Sequence, residues 1–276
     1  MSARILKNDR DRLLTLFIIG FMSCGARLPV YVLFAGAFFS EAMAGNILFA
    51  IYITGAMIGL IAAKILKLTA FKGVDEPFVM EMPKYRLPST KLIWHTVMTK
   101  TWMYLKKAGT FIAAASMLVW FLSNYPHNLD IENDMSINDN KKAELLLEQS
   151  YLGSIGKFSE PIFAPLGFDW KMSVALQTGL AAKEVVVSTL GVLYSLGSDV
   201  DESNSSLKSI ISQNIPFASA VAFIVVIMIY LPCLAASVVF TREAGGLRYF
   251  FYLLGFTSVA AYSLAFLAYN VALYLT

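Results

Sequence analysis

The chain has 276 residues, 57% of them hydrophobic and only 15% charged, against about 45–50% and 25% in ordinary soluble domains. So few charges cannot solvate a globular surface, and a net charge of +3 does not specify a nucleic-acid partner. Several apolar runs approach or exceed the roughly 20 residues that cross a bilayer, so an all-α, polytopic transmembrane helical bundle is expected.

In chain order, residues 1–12 form a short basic lead (Arg4, Lys7, Arg10, Arg12) that reads as cytoplasmic rather than as a cleavable leader. The first apolar span, 13–39, is interrupted by Phe21-Met-Ser-Cys-Gly-Ala-Arg-Leu-Pro-Val-Tyr31. A thiol, a glycine and a proline there are poor material for a continuous helix. In lipid the freed backbone groups need partners, so such a break must face protein or a water-filled cavity, as in the ion sites of transporters. A second span, 42–66, carries Gly55 and Gly59 at the spacing that lets helices approach closely.

Residues 67–107 are basic, with Lys67, Lys72, Lys84, Arg86, Lys91, Lys100 and Lys106, and are expected on the cytoplasmic side. Within them Trp94, Met98, Trp102 and Leu105 share one helical face. That pattern suits an amphipathic helix in the membrane interface or a cytoplasmic helix packed on the bundle. A third span is expected over 108–122. Residues 123–160 then turn acidic (Asp130, Glu132, Asp134, Asp139, Glu144, Glu148) and are placed outside, with a short surface helix over Ala143–Gln149. Gly153-Ser-Ile-Gly-Lys157 lacks both the first glycine and the Ser/Thr of a phosphate loop and is set aside.

The apolar stretch 161–196 holds Gln177, Thr178, Lys183, Glu184 and Ser188 near its centre. Charge at that depth belongs in a bundle interior or cavity, and the stretch reads as a re-entrant hairpin entering and leaving on the outer face. The next span, 215–240, is broken at Tyr230-Leu-Pro-Cys-Leu-Ala-Ala-Ser237, and a last span covers 249–275. The count is five spans plus a hairpin, with six spans as the competing topology.

Each break thus pairs a cysteine with a proline. The two cysteines are not spaced as a disulfide framework. Divalent transition-metal ions accept sulfur, nitrogen and oxygen ligands, so Cys24 and Cys233 are the leading metal-ligand candidates, with Met22, Ser23 and Glu184 behind them. The competing reading treats each cysteine as a small buried hydrophobe. Lys183 and Glu184 are either an ion-path carboxylate with its counter-charge or a pair that pins the hairpin. As helix neighbours they would point about 100° apart. Glu81 with Arg86 suits a docking contact or a solvated pair. His95 and His127 are not spaced as a metal pair, and no zinc-protease or serine-hydrolase motif occurs, so an enzyme is not expected.

Four segments together carry a family resemblance: Phe21–Tyr31, Glu81-Met-Pro-Lys-Tyr-Arg-Leu-Pro88, Ala182-Lys-Glu-Val-Val-Val-Ser-Thr-Leu190 and Leu231-Pro-Cys-Leu-Ala-Ala236. In residues and order they resemble the FeoB family of bacterial ferrous-iron transporters. The resemblance implies two gate-like repeats, each with a cysteine at the position of Cys24 or Cys233. It also implies Fe²⁺ uptake across the bacterial cytoplasmic membrane, regulated by an N-terminal GTPase domain. On that basis residues 1–66 are expected to be a partial first repeat, 67–107 a basic loop and 108–276 the second repeat region.

No GxxxxGK[ST] occurs, so GTP would act only through a domain outside these residues, and no bound cofactor is expected. The expected partners are membrane lipids, Fe²⁺, the GTPase domain with the upstream membrane half, and small accessory iron-transport proteins. A homo-oligomer is compatible with the sequence and nucleic acid is not expected. The alternative is a gate-domain carrier of nucleosides or another organic solute, which would call for Asn, Gln or Glu rather than thiols at the breaks.

Overall fold

The computed structural model describes residues 3, 6, 8–72, 89–126, 138–194, 196 and 201–275. Glu81, Arg86, His127, Asp130, Glu132 and Asp134 lie outside the described residues. Among the described residues regular structure is helical throughout. Helix α1 (Asp9–Ile19) opens on Asn8, whose side chain accepts the Arg10 amide, one of the donors a helix start leaves free. After a single 3-10 turn, Gly25–Arg27, comes α2 (Leu28–Phe38), with Pro29 in its first turn, where a missing N–H costs nothing. There follow α3 (Glu41–Thr69), α4 (Thr90–Asn124), α5 (Asp139–Gln149), α6 (Tyr151–Phe163), α7 (Trp170–Ala181) and α8 (Val185–Leu193). The chain closes with α9 (Ser205–Asn214), α10 (Phe217–Ile229), α11 (Leu234–Ala244) and α12 (Leu247–Leu275).

Among the described residues three stretches are long and apolar enough to cross a membrane: Ala42–Thr69, Phe217–Ala244 and Leu247–Leu275. Gly25–Phe38 and Ala113–Asn124 are shorter apolar helices. Both expected breaks are present, between α1 and α2 and between α10 and α11. One expectation is corrected. The amphipathic stretch before residue 107 and the span after it are a single 35-residue helix, α4. No proline lies between Thr90 and Asn124, and the lone glycine, Gly109, is too weak a breaker to end a helix. The phosphate-loop-like Gly153–Lys157 sits inside α6, where the Gly153 amide donates to Ser150 Oγ as a helix cap.

The two broken spans run in opposite directions side by side. Phe17 of α1 meets Phe240 of α11 edge-on at 5.3 Å, and Phe34 of α2 lies 5.1 Å from Phe223 of α10. Leading half packs on trailing half at both ends, so the breaks fall at one level. A Cβ on Gly20, at the end of α1, would stand 3.8 Å from Pro232 Cδ in the other break. Helix α3 closes over both: a Cβ on Gly55 would meet Met228 Sδ at 3.2 Å and Ser23 Oγ at 3.5 Å, and one on Gly59 would meet Phe21 Cβ at 3.4 Å. The glycine pair in α3 therefore serves the close approach its spacing implied.

Helices α7 and α8 form the expected hairpin. Lys171 Nζ donates to Leu193 O at the base, Thr189 Oγ1 to Thr178 Oγ1 midway, and Gly179 faces Val186 near the tip at Lys183-Glu184. Helix α5 is stapled to the base. Glu144, mostly buried, takes Lys171 Nζ on one carboxylate oxygen and Lys141 Nζ on the other, both at 2.8 Å. Apolar side chains of α3 and α12, among them Phe49, Leu60, Val259 and Leu267, face outward, as a bilayer-facing surface requires.

Candidate ion site at the two helix breaks

At the first break α1 ends with carbonyls that have no helical partner. Arg27 supplies one. Its side chain, 1% exposed, turns back so that Nη1 donates to Met22 O at 3.2 Å and Nη2 to Gly20 O at 2.9 Å. A guanidinium can satisfy two carbonyls at once because its donors are held in a rigid fork. Cys24 begins the 3-10 turn, and its carbonyl accepts the Arg27 amide. Its thiol is free and exposed. Ser23 Oγ and Tyr31 Oη are buried beside each other at the same break.

At the second break α10 ends at Ile229, and Cys233 begins α11, its carbonyl accepting the Ser237 amide. The Cys233 thiol is free and half-buried. The hairpin tip inserts here. Lys183, 1% exposed, donates from Nζ to Ile227 O at 3.2 Å and stands 4.2 Å from the centre of the Tyr230 ring. Tyr230 Oη in turn donates to Leu176 O of α7 at 3.1 Å. The ammonium is thus held by a carbonyl and a ring face, both of which attract cations.

The structure therefore brings Cys24, Ser23 and Cys233 to one region, with Arg27 at the first break and Lys183 at the second. Met22 is there through its carbonyl, while its side chain is 60% exposed. Glu184 is exposed and makes no ion pair with Lys183, consistent with the divergence expected of neighbours. Among the described residues no group of three or more His, Cys, Asp or Glu converges. Arg27 and Tyr230 were not singled out from the sequence. The available signal was charge and a phenol inside otherwise apolar breaks, which must find partners in the bundle interior.

Paired discontinuous helices in an all-α membrane bundle, with freed carbonyls and thiols at the discontinuity, are the architecture transporters use at their binding sites. The family described as "Ferrous iron transport protein B C terminus" matches residues 48–103, and that described as "Nucleoside recognition", a gate segment, matches residues 105–247. The chain belongs to the FeoB C-terminal membrane-domain family. It is 61% identical over 272 residues to a protein of Campylobacter jejuni named Fe(2+) transporter FeoB, covering 99% of this chain and 44% of that one. It is 46% identical over 291 residues to the Helicobacter pylori protein of the same name, covering 98% and 45%. A Porphyromonas gingivalis protein named as a fusion of Fe(2+) transport protein A with Fe(2+) transporter FeoB is 38% identical, covering 99% and 36%. The chain spans under half the length of these relatives. No solved structure matches it.

Proposed function

We propose that the chain is the ion-conducting membrane part of a bacterial ferrous-iron transporter and that Cys24 and Cys233 face a shared path for Fe²⁺. The observation that carries this reading is the meeting of two cysteine-bearing helix breaks at one level, Gly20 against Pro232. The relatives named as Fe(2+) transporters support the choice of cargo. Thiols with freed backbone oxygens suit a divalent ion in the middle of the affinity series. The organic-solute alternative is not favoured, because the side chains at the breaks are thiols rather than amides or carboxylates.

In this reading the chain is multi-pass in the cytoplasmic membrane, performs no chemistry, carries no resident cofactor, and depends for nucleotide control on a GTPase domain elsewhere. The fused relative supports a small accessory iron-transport protein as partner. Lipids contact the outward faces of α3 and α12.

Cys24→Ser and Cys233→Ser, made in the full-length transporter and assayed in proteoliposomes, should each lower Fe²⁺ uptake by about tenfold or more while expression holds, since serine keeps the size but replaces a thiolate donor with a harder oxygen. Val225→Ala should cost little. Wild-type uptake by both serine variants would make the cysteines packing residues and move the search to Glu184.

A further inference from the structure

At each break, carbonyls at the trailing end of the leading half-helix are the groups that discontinuous helices offer to a cation. In this chain both sets are already engaged by a protein cation: Gly20 O and Met22 O by Arg27, and Ile227 O by Lys183. The two cations differ in origin. Arg27 sits seven residues from Gly20, within the break it satisfies, and its bonds are part of that turn. Lys183 lies 44 residues from Ile227 and arrives on the tip of a separate hairpin.

We propose that the Lys183 ammonium is a tethered substitute for the transported cation, resting at the second break, where Pro232 lies against Gly20 of the first, until an incoming metal ion displaces it. This rests on the two-cysteine path described above. Nζ is held as a cation is held, by a backbone oxygen and a ring face, at the break that carries Cys233. Among the described residues no carboxylate pairs with this ammonium; Glu184, its neighbour, is exposed. Repulsion forbids the ammonium and a divalent ion from sharing the position. The hairpin is fastened at its base by Lys171 to both Glu144 and Leu193 O and nearer its tip by Tyr230 Oη to Leu176 O, whereas Lys183 reaches Ile227 O on a flexible four-carbon stem that can swing away without moving the helices. Lys183 then acts as a selectivity element, because only a cation that binds the thiols and carbonyl better than an ammonium does can enter.

The test uses the purified full-length protein titrated anaerobically with Co²⁺, followed by its sulfur-to-metal absorption. Lys183→Met keeps the apolar stem and removes the charge. It should tighten Co²⁺ binding by about tenfold, the equivalent of ~1.4 kcal/mol, while Lys183→Arg stays close to wild type. Cys24→Ser in the Lys183→Met background should abolish the gain. Weaker or unchanged binding in a folded Lys183→Met protein would overturn the proposal. If that variant does not fold, the wild-type protein decides: saturating Co²⁺ should raise acetylation of Lys183 by an amine reagent, and unchanged or reduced modification sinks the idea. The two readings separate cleanly. Wild-type Co²⁺ absorption surviving in the Cys24→Ser and Cys233→Ser single variants removes the two-cysteine path itself, whereas its loss in them with no effect at Lys183 removes only the tethered cation.

Discussion

The guanidinium of Arg27 bridges two carbonyls of the same break, Met22 O at 3.2 Å and Gly20 O at 2.9 Å, while the rest of the side chain is buried. Hydrogen bonds to a charged donor contribute about 1.5–3 kcal/mol each, and the carbonyls left behind by its removal would be unpaired in an apolar surrounding. Arg27→Lys can keep one bond but not the fork. Its thermal midpoint in detergent should fall by a few degrees, and that of Arg27→Leu by more. Equal midpoints for wild type and both variants would show that the break does not need this clamp. Cysteine beside proline inside an apolar run was legible in the sequence, because both residues are out of place in a continuous span. Arg27's role was not, since its partners five and seven residues back are set by the path of the chain through Cys24 and Gly25. The direction of Lys183 was open for the same reason: the sequence shows a Lys–Glu neighbour pair, but only the docked tip decides which of the two turns inward.

Among the elements, the hairpin of α7 and α8 depends on a close approach at Gly179. A Cβ there would stand 2.8 Å from Val186 Cγ2 and 2.9 Å from Tyr230 Oη, so it presses at once on the partner helix and on the residue beneath Lys183. Gly179→Ala should destabilise the fold by about 1–3 kcal/mol, as overpacked cores do. Adding Val186→Ala opens space for the new methyl and should recover part of the loss. Gly109→Ala, where nothing lies within 4 Å, is the control and should be neutral or slightly stabilising. A Gly179→Ala protein as stable as wild type would mean that the two helices are less tightly joined than this geometry requires. The hairpin itself could be read from the sequence because polar and charged residues interrupt an apolar stretch at its middle. The continuity of α4 could not. Charge and aromatic patterning change near Lys107, but patterning records what surrounds a helix, and nothing in the backbone chemistry there ends one.

At the scale of the whole molecule, the antiparallel packing of the broken spans and the fastening of α5 to the hairpin base fix which segments leave the bundle at the same end. Lys171 joins Glu144 of α5 to Leu193 O at the end of α8, so the acidic segment before the hairpin and the segment after it leave from the same end. Helix α9 follows and lies against α2, where a Cβ on Gly36 would stand 2.9 Å from Lys208 Cε. The basic residues Lys64, Lys67 and Lys91 flank the far ends of α3 and α4, which the positive-inside tendency assigns to the cytoplasm. Single cysteines at Asp139 and Ser203, both exposed, therefore belong on one face, and one at Lys91 belongs on the other. In the full-length protein with Cys24 and Cys233 replaced by alanine, an impermeant maleimide should label Asp139→Cys and Ser203→Cys in intact spheroplasts. Lys91→Cys should label only after permeabilisation. If Ser203→Cys also required permeabilisation while Asp139→Cys did not, α7 and α8 would have to cross the bilayer together. The six-span topology would then replace five spans and a hairpin, and the two breaks would no longer run in opposite directions through the membrane.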